Sequence, residues 1–388
     1  MKWEYVALGD LYEVHNGLSK GGRFFGDGFP FLSFSTVFNK WFLPQELPDL
    51  VQSTDKEQQS YSIRRGDVFV TRTSETMDEL GMSSVALKDY PHATYNGFTK
   101  RLRPINSERI LPEFIGYYLR TPFFRAGFAA FSTMTTRASL RNEDLLSMKV
   151  PVPDIPTQKR IANILSAYDN LIENDQKQIK LLEEAAQRLY KEWFVDLRFP
   201  GHENTKITDG VPEGWRRGAL ADVATFKRGK TITKEQTNPG VVPVVAGGLE
   251  PAYFHDTFNT GAPVITVSGS GANAGFTRMY HTKVWASDCS YVDSVATENL
   301  AWVYCFLKEN NTKIETMQKG AAQPHVYAKD INALEAVIPN DKQMKRFQAI
   351  TEPMFARIGT LKTQKARLRE ACNCLLPKLM NGEIEVEK

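Results

Sequence analysis

The sequence has little cysteine. Its 388 residues contain four cysteines: Cys289, Cys305, Cys372 and Cys374. Their number and spacing fit neither a disulfide framework nor a zinc site, which needs closely paired Cys or His ligands. Cys372 and Cys374 would point to different faces of a helix, because neighbours on one face are three or four residues apart. We therefore expect reduced thiols, a cytoplasmic location and no metal bound by this chain.

The chain also lacks long apolar segments. No apolar run approaches the ~20 residues that a membrane helix needs. The first residues, MKWEYVALGD, contain no apolar core of a secretory signal. Hydrophobic residues make up 42% and charged residues 24% of the chain, which is typical of a globular protein. The net charge of +3 permits nucleic acid as a partner but does not require it, and the length predicts two or three domains.

Complete catalytic motifs are missing as well. VSGSGANA (267–274) loosely matches the dinucleotide fingerprint, but the residues after it alternate like a strand where a helix is required. RGKT (228–231) resembles the end of a phosphate-binding loop, yet Ala224 occupies the position of its first glycine. The absence of any Pro-Pro pair excludes the Asn/Asp-Pro-Pro-aromatic motif of amino-methyltransferases. The six histidines have no metal-ligand spacing, so none of these motifs forms a catalytic constellation.

What the sequence does contain is an internal repeat. With a shift of 186 residues, the segment from Pro153 matches the segment from Pro339 without a gap. With a shift of 212 residues, WEYVALGDLYEVHNG at Trp3 matches WRRGALADVATFKRG at Trp215. The larger shift indicates that the first globular part is the longer one. The chain is therefore predicted to be a tandem duplication with the order domain–helix–domain–helix.

The repeated segments have the heptad pattern of long helices. The first extends from Ile155 to Phe194 and has no glycine and no proline after Pro156. Apolar residues recur at heptad spacing in both copies, at Ile161, Tyr168, Leu182 and Leu189 and at Phe347, Met354, Leu361, Leu368 and Leu375. This spacing predicts a coiled-coil seam in which each helix is the natural mate of the other.

Three residues complicate the helix predictions. Asp175 interrupts the first seam at the position where the second copy has Leu361. Proline inside a helix removes a hydrogen bond. We therefore expect a kink or a late start of the second helix near Pro353, and its end near Pro377.

The two globular parts, about residues 1–153 and 203–339, are predicted to be mixed α/β domains. Strand signals occur at 67–71, 83–87, 241–245, 263–268 and 283–287, and helical signals at 111–121 and 297–310. The polar segment 196–214 is rich in glycine and proline and is predicted to be a linker.

Several longer motifs carry a family resemblance that covers nearly the whole chain. They are VPVPDIPTQKRIANIL (150–165), LYKEWFVDLRFPG (189–201), DGVPEGW (209–215), GAAQPHVYAKDI (320–331) and LLPKLMNGEI (375–384). With the domain–helix–domain–helix order, they resemble the specificity (S) subunits of type I restriction–modification systems. The second repeat departs from the family pattern, because VIPNDKQMKRFQAI lacks the usual Gln-Lys-Arg run.

The resemblance implies a fold. It is α/β (α+β), with two globular target recognition domains alternating with two long conserved helices that pack as an antiparallel coiled coil. This tandem internal repeat would have pseudo-twofold symmetry. The predicted boundaries are 1–153 for the first recognition domain, 154–202 for the first helix and linker, 203–338 for the second recognition domain, and 339–388 for the second helix and tail.

The resemblance also implies a non-catalytic DNA reader. Each domain would read one half of a bipartite, asymmetric site in double-stranded DNA, while the helices set the spacing and dock two methyltransferase (M) subunits. Endonuclease–translocase (R) subunits would join this complex. S-adenosylmethionine, ATP and Mg²⁺ would belong to these partner subunits, and no membrane would be involved.

Candidate DNA contacts are basic and polar side chains, because Lys and Arg bind phosphates and polar groups read base edges. In the first domain they are Lys20, Arg23, Arg72, Thr73, Ser74, Thr136, Arg137 and Arg141. In the second domain they are Lys227, Arg228, Lys230, Lys234, Ser268, Ser270, Asn273, Arg278, Gln323 and His325. For any single one, the alternative is an ordinary solvated surface residue.

Trp193 and Phe194 are the candidate anchors for a methyltransferase subunit, because aromatic residues are frequent at interface hot spots. The alternative is that both rings pack on the following linker. Two other functions also stay open. The chain could be a coiled-coil adaptor without a DNA role, or the recognition subunit of a related system in which methylation and cleavage are fused in one partner chain.

Overall fold

The computed structural model describes residues 3–74, 80–130, 138–318 and 324–386. The chain divides into two compact units. Unit 1 comprises Met1–Ile172 and Arg367–Lys388, and unit 2 comprises Glu173–Ala366. No helix in the described part of the chain is long and apolar enough to span a membrane.

Unit 1 combines short helices with sheets. Its strands are β1 (Glu4–Ala7), β2 (Tyr12–Asn16), β3 (Phe25–Leu32), β4 (Asp49–Val51), β5 (Val68–Thr71), β6 (Thr73–Ser74), β7 (Ser83–Val85), β8 (Thr94–Tyr95), β9 (Thr99–Pro104), β10 (Ala138–Ser139) and β11 (Lys149–Val152). Its short helices are α1 (Phe34–Asn39), α2 (Asp55–Ser60), α3 (Pro112–Tyr118), α4 (Pro122–Ala126) and α5 (Asn142–Ser147). The first long helix, α6 (Ile155–Tyr190), begins in this unit and continues into a π-helical turn, Lys191–Val195.

Unit 2 has a similar composition. Its strands are β12 (Ile207–Thr208), β13 (Val211–Pro212), β14 (Arg216–Ala219), β15 (Lys227–Arg228), β16 (Val242–Val245), β17 (Tyr253–His255), β18 (Val264–Ser268), β19 (Thr277–Tyr280), β20 (Trp285–Ala286), β21 (Cys289–Asp293) and β22 (Glu335–Ile338). Its short helices are α7 (Leu300–Glu309), α8 (Asn311–Thr316) and α9 (Ala328–Asn332). The second long helix, α10 (Asp341–Met380), begins here.

The two units have the same strand topology. The sheet β2–β9–β5–β7 of unit 1 corresponds to β15–β21–β18–β19 of unit 2, with antiparallel neighbours in both. The sheet β4–β3–β8 corresponds to β17–β16–β20, each with one antiparallel and one parallel pair. The antiparallel pair β1–β11 corresponds to β14–β22. The repeat seen in the sequence is therefore a repeat of the fold.

Glycine occurs at one matching position in both units for the same physical reason. A Cβ on Gly17 would lie 2.0 Å from the carbonyl oxygen of Asn96, and a Cβ on Gly229 would lie 2.3 Å from that of Ser287. Both distances are too short for any side chain. The matching glycines thus mark the point where the chain leaves β2 or β15 and passes directly against a neighbouring backbone.

The central strands are apolar because both of their faces are covered. Every residue of β5 and β18 is buried. A short, continuous apolar run is the expected pattern for such a strand. The predicted strand signals at 67–71 and 263–268 therefore coincide with strands, and the helical signals at 111–121 and 297–310 coincide with α3 and α7.

The long helices pack against each other in antiparallel orientation within unit 2. Tyr190 of α6 lies against Phe347 of α10, with ring centroids 6.2 Å apart. Further back along α6, Gln178 Oε1 accepts a hydrogen bond of 3.3 Å from Arg357, which lies further forward along α10. The contacts thus run in opposite directions along the two helices. In unit 1, the start of α6 and the end of α10 share one core, which includes Ile161, Leu165, Leu376, Leu379 and Met380. The predicted fold class is confirmed.

The expected late start of the second helix near Pro353 is wrong, because α10 begins at Asp341. The helix ends at Met380, close to Pro377 as expected. Pro353 lies on the exposed side of the helix, while Phe347 and Phe355 on either side of it are buried. A proline inside a helix costs about 3 kcal/mol, and burying one large apolar side chain contributes about 1.5–3 kcal/mol. Burial of the flanking residues therefore offsets the cost. Beyond Pro377, burial of Leu379 and Met380 extends the helix in the same way.

The segment predicted as a linker is packed within unit 2. Phe199 is buried, and its ring centroid lies 4.7 Å from that of Trp215. The antiparallel pair β12–β13 follows within the same segment. A glycine- and proline-rich composition therefore marks a chain reversal here and not a free tether.

Candidate nucleic-acid interface

In unit 1, the candidate residues Arg72 and Arg141 lie around one polar pocket of about 600 Å³. Arg72 directly follows the buried strand β5, and Arg141 directly precedes α5. Pairing of β6 with β10 brings these two segments together, with Thr73 opposite Ser139. Ser74 also lies in β6. The candidates Thr136 and Arg137 lie outside the described residues.

The same pocket contains Lys100, which the sequence-based prediction missed. Lys100 lies in β9 opposite Asn16 of β2, and it is 5% exposed. Its Nζ donates a hydrogen bond to Asn142 Oδ1. Burial lowers the pKa of the Lys100 ammonium; the neighbouring Arg72 charge lowers it further, and Asp144 acts in the opposite direction. The only signal in the sequence was a lysine in the strand-like segment TKRLR, which does not reveal a pocket.

The candidate loop at Lys20 and Arg23 is held by contacts within unit 1. Lys20 Nζ forms an ion pair of 2.8 Å with Glu57 and donates a second hydrogen bond of 2.6 Å to the Gln52 carbonyl. The Lys20 hydrogen bond holds the pKa of the Glu57 carboxyl below its usual value. The Arg23 guanidinium is exposed and stacks on Phe24, 4.8 Å from the ring centroid. Lys20 therefore stabilises the loop, whereas Arg23 is available to a ligand.

In unit 2, Arg228, Ser270 and His325 come together at the corresponding place. Arg228 lies opposite Ser290 in the β15–β21 pair, as Asn16 lies opposite Lys100 in unit 1. Ser270 forms an isolated bridge with His325, as Thr73 pairs with Ser139 in unit 1. Arg228 and His325 line one pocket with Asp288, which accepts a hydrogen bond from Ser270 and lies 4.0 Å from Arg228. The same pocket position therefore has different side chains in the two units.

Other unit 2 candidates are paired or buried. The Arg278 guanidinium forms an ion pair of 3.1 Å with Glu250 and stacks on Phe276 and Tyr280. Ser268 is 3% exposed, and its hydroxyl donates to the Gly247 carbonyl. Ser268 thus belongs to the buried strand β18, and its contact with DNA stays a prediction.

The remaining unit 2 candidates are spread over the surface. Lys227, Lys230 and Lys234 are exposed, and Asn273 is half-buried in the loop after β18. Lys227 lines a separate cavity of about 730 Å³ with Lys283, whose Nζ lies 4.0 Å from the Phe258 ring centroid. Gln323 lies outside the described residues. Among the described residues, no group of three or more His, Cys, Asp and Glu side chains could hold a metal ion.

The predicted docking anchors Trp193 and Phe194 are buried in unit 2, each 7% exposed. Phe194 packs on Phe347, with ring centroids 5.0 Å apart, and Trp193 packs on the same ring at 6.0 Å. Phe194 also contacts Trp215 at 5.8 Å. Their burial favours the packing alternative, and a docking role for them stays a prediction.

Comparisons with known proteins agree with these features. A family model described as the type I restriction modification DNA specificity domain matches residues 1–184 and 212–370. The chain is 23% identical over 414 residues to the type I restriction enzyme MjaIX specificity subunit of Methanocaldococcus jannaschii, covering 100% of this chain and 94% of that protein. It is 21% identical over 473 residues to the HindI specificity subunit of Haemophilus influenzae, covering 98% and 99%.

A solved structure has the same fold. The crystal structure of the type I restriction–modification system S subunit from M. genitalium superposes with a TM-score of 0.66 at 15% sequence identity, covering 100% of this chain and 97% of that chain. The family model matches both repeats and most of the chain. The chain therefore belongs to the type I restriction modification DNA specificity family.

Proposed function

We propose that this chain is the DNA-recognition subunit of a type I restriction–modification enzyme, in which each unit reads one half of a bipartite, asymmetric site. Family membership supports DNA recognition without catalysis, because the relatives are specificity subunits. One structural observation supports the division into two readers. The units share one strand topology, yet the equivalent pockets contain Arg72, Lys100 and Arg141 in one case and Arg228, Asp288 and His325 in the other.

Different donors and acceptors at an equivalent position make different contacts with DNA. Arg and Lys suit phosphate oxygens and the acceptors of guanine, whereas a carboxylate repels phosphate and accepts from the N4 amino group of cytosine. A duplicated reader with one side-chain set would read the same half twice. Two side-chain sets therefore favour two unlike halves, which is an asymmetric site.

The partners are DNA and the M and R subunits of the enzyme. We place docking of two methyltransferase subunits on the exposed apolar residues of α6, which are Ile164, Leu171 and Leu181, with exposed fractions of 37%, 45% and 63%. Apolar side chains that a helix leaves uncovered are typical of a protein interface. S-adenosylmethionine, ATP and Mg²⁺ then belong to the partner subunits, and the complex works in the cytoplasm, where it meets DNA.

DNA binding by the complex with its co-expressed methyltransferase subunit tests this function. Methylome sequencing of the host strain supplies the recognised site, and binding is then measured at several salt concentrations. We expect sequence-specific binding that weakens linearly on a log–log plot against salt, because phosphate contacts release counterions. A coiled-coil adaptor without a DNA role would show no such binding.

Two arginine variants test the division of labour. Arg23→Ala in unit 1 and Arg228→Ala in unit 2, which replace two exposed arginines, should each alter binding to one half-site only. Loss of a bidentate base contact costs about 1–3 kcal/mol and relaxes one base position. If either variant changed preference in both halves, the units would form one composite reading surface.

A further inference from the structure

The polar pocket at the end of β5 collects positive charge that nearby side chains do not neutralise. It is lined by Asn16, Arg72, Lys100, Leu140, Arg141, Asn142 and Glu143. Asp144 adds a second carboxylate close enough to act on Lys100. In the described part of the chain, however, neither Glu143 nor Asp144 forms an ion pair with any of the three cations.

Lys100 is the most unusual member of this pocket. It is 95% buried, and its described side-chain partner is the neutral amide oxygen of Asn142. An ammonium group has three protons to donate. Buried charges in proteins are normally paired with an opposite charge, because an unpaired one loses its hydration without compensation. Lys100 therefore has the donors and the charge for an anionic ligand.

Arg72 provides a second, independent observation. Its Nε is shielded from solvent and has no hydrogen-bond acceptor among the described residues. Buried polar atoms of this kind are rare in folded proteins. A ligand oxygen in the pocket would supply the acceptor that the chain itself does not.

The corresponding pocket of unit 2 shows that the fold does not require this arrangement. There, Ser290 occupies the position of Lys100, and Asp288 lies 4.0 Å from Arg228. The positive charge of the unit 2 pocket thus has a carboxylate of the same unit beside it. In unit 1, the described residues of the pocket form no such ion pair.

We infer that the unit 1 pocket binds one phosphate group of the DNA backbone, with Lys100 and Arg72 as its donors and Arg141 at its mouth. A base edge is neutral and would leave the excess positive charge of the pocket uncompensated, whereas a phosphate supplies both charge and acceptor oxygens. A recessed lysine acts as a point charge, which suits phosphate better than the flat edge of a base. The inference rests on the proposed function and adds Lys100 as a contact that fixes the position of unit 1 on DNA.

Lys100→Gln in the full chain, bound to its methyltransferase subunit, tests the inference. Lys88→Gln is the matched control, since Lys88 is an exposed lysine of the same unit beyond the other end of the sheet, where Val85 pairs with Val68. Lys100→Gln should weaken binding to all DNA sequences by about tenfold, as expected for a hydrogen bond to a charged group. It should also reduce the salt slope by about 0.9, the value for one phosphate contact. The control should change neither quantity.

A modified DNA locates the contact. Replacing single phosphates of the site by uncharged methylphosphonates should reveal one position that weakens wild-type binding and has no further effect on Lys100→Gln. DNA binding by Arg72→Gln should likewise be unaffected by a methylphosphonate at that position. This second variant also keeps the test decisive if Lys100→Gln has a lowered melting temperature.

Other outcomes overturn the inference in distinguishable ways. Unchanged affinity and salt slope in both variants would mean that the pocket does not touch DNA, although wild-type binding would still support the proposed function. Relaxed preference at one base pair would make Lys100 a base reader. If inorganic phosphate raised the melting temperature of the wild type but not of Lys100→Gln, while both bound DNA equally, the pocket would take a free anion only. Absence of DNA binding by the wild-type complex would refute the proposed function itself.

Discussion

Gly359 lies inside α10 because a neighbouring side chain leaves no room for a methyl group. A Cβ at this position would lie 2.8 Å from both Cβ and Cγ of His281, which follows β19 in unit 2. In an open helix, replacing glycine by alanine stabilises by roughly 0.5–1 kcal/mol. Here the close contact makes the same replacement destabilising. Gly359→Ala should therefore lower the free energy of unfolding, measured by denaturant titration.

A double variant separates the contact from helix propensity. Once His281→Ala has removed the ring, adding Gly359→Ala should no longer be destabilising relative to His281→Ala alone. A Gly359→Ala single variant more stable than the wild type would contradict the packing of His281 against α10.

His281 should also make unit 2 sensitive to acid. Its Nε2 is shielded from solvent and has no partner among the described residues. Burial lowers the pKa of this imidazole to about 4, and the charge of Lys362 acts in the same direction. The unfolded chain has an ordinary histidine pKa of about 6.5. Below this value the unfolded state binds the proton first, so stability is complete above about pH 6.5 and decreases as the pH falls toward 4.

The corresponding measurement is the melting temperature at pH 7 and pH 5. We expect His281→Gln to lose less stability over this interval than the wild type, because glutamine does not titrate. His202→Gln is a suitable control, since the His202 ring is only half-buried and its Nδ1 donates a hydrogen bond of 2.9 Å to the Phe199 carbonyl. An equal loss in the wild type and in His281→Gln would assign the acid sensitivity to other groups.

At the scale of secondary-structure elements, Asp175 is a polar residue in the apolar seam of α6. It is 2% exposed, and its Oδ2 has no hydrogen-bond donor among the described residues. The second copy has Leu361, fully buried, in the same register. An unsatisfied buried polar group costs about 1–3 kcal/mol. Asp175→Leu should therefore raise the free energy of unfolding by an amount in this range.

Asp169 provides the contrast on the same helix. Its Oδ2 accepts a hydrogen bond of 2.6 Å from the Tyr117 hydroxyl of α3. Asp169→Leu leaves that hydroxyl without its acceptor and should destabilise unit 1 in the same unfolding experiment. If both aspartate variants changed the free energy of unfolding in the same direction, burial without a partner would not explain the role of Asp175.

The periodic elements were predictable from the sequence because their signals are local. Heptad spacing and the ungapped repeat indicated α6, α10 and their mutual packing, and the apolar runs indicated β5 and β18. The late helix start predicted at Pro353 was wrong because burial of Phe347 and Phe355 overrides the local preference of proline. Local propensity is outweighed in this way wherever packing supplies more free energy than the backbone loses.

The candidate site was less predictable, because it depends on strand pairing. Arg72 and Arg141 were identified as basic residues next to element ends, but nothing in the sequence places them in one pocket. Lys100 enters that pocket only through the register of β9 with β2. Ser268 was predicted to contact DNA, and its burial between the neighbours of β18 depends on the same kind of strand pairing.

At the scale of the whole molecule, the antiparallel packing of α6 and α10 decides how a spacer test must be designed. In the proposed function the two helices set the gap between the recognised halves. If only one helix were lengthened, its seven added residues would face no matching residues on the other helix. One heptad must therefore be inserted into both, between Ile172 and Leu182 and between Ile358 and Leu368, which face each other in antiparallel order.

The matched insertion should enlarge the gap and leave the recognised halves unchanged. Seven helical residues add ~10.5 Å at ~1.5 Å each, which corresponds to about three base pairs at ~3.4 Å per step. Methylome sequencing of cells that express the variant with its partner subunits reads out the halves and the gap together. Insertion into α6 alone serves as the control and should abolish methylation, because the seam loses its register. If the doubly inserted variant methylated the original site with its original gap, the helices would not set the spacing, and the distance between the halves would have to be attributed to contacts outside the seam.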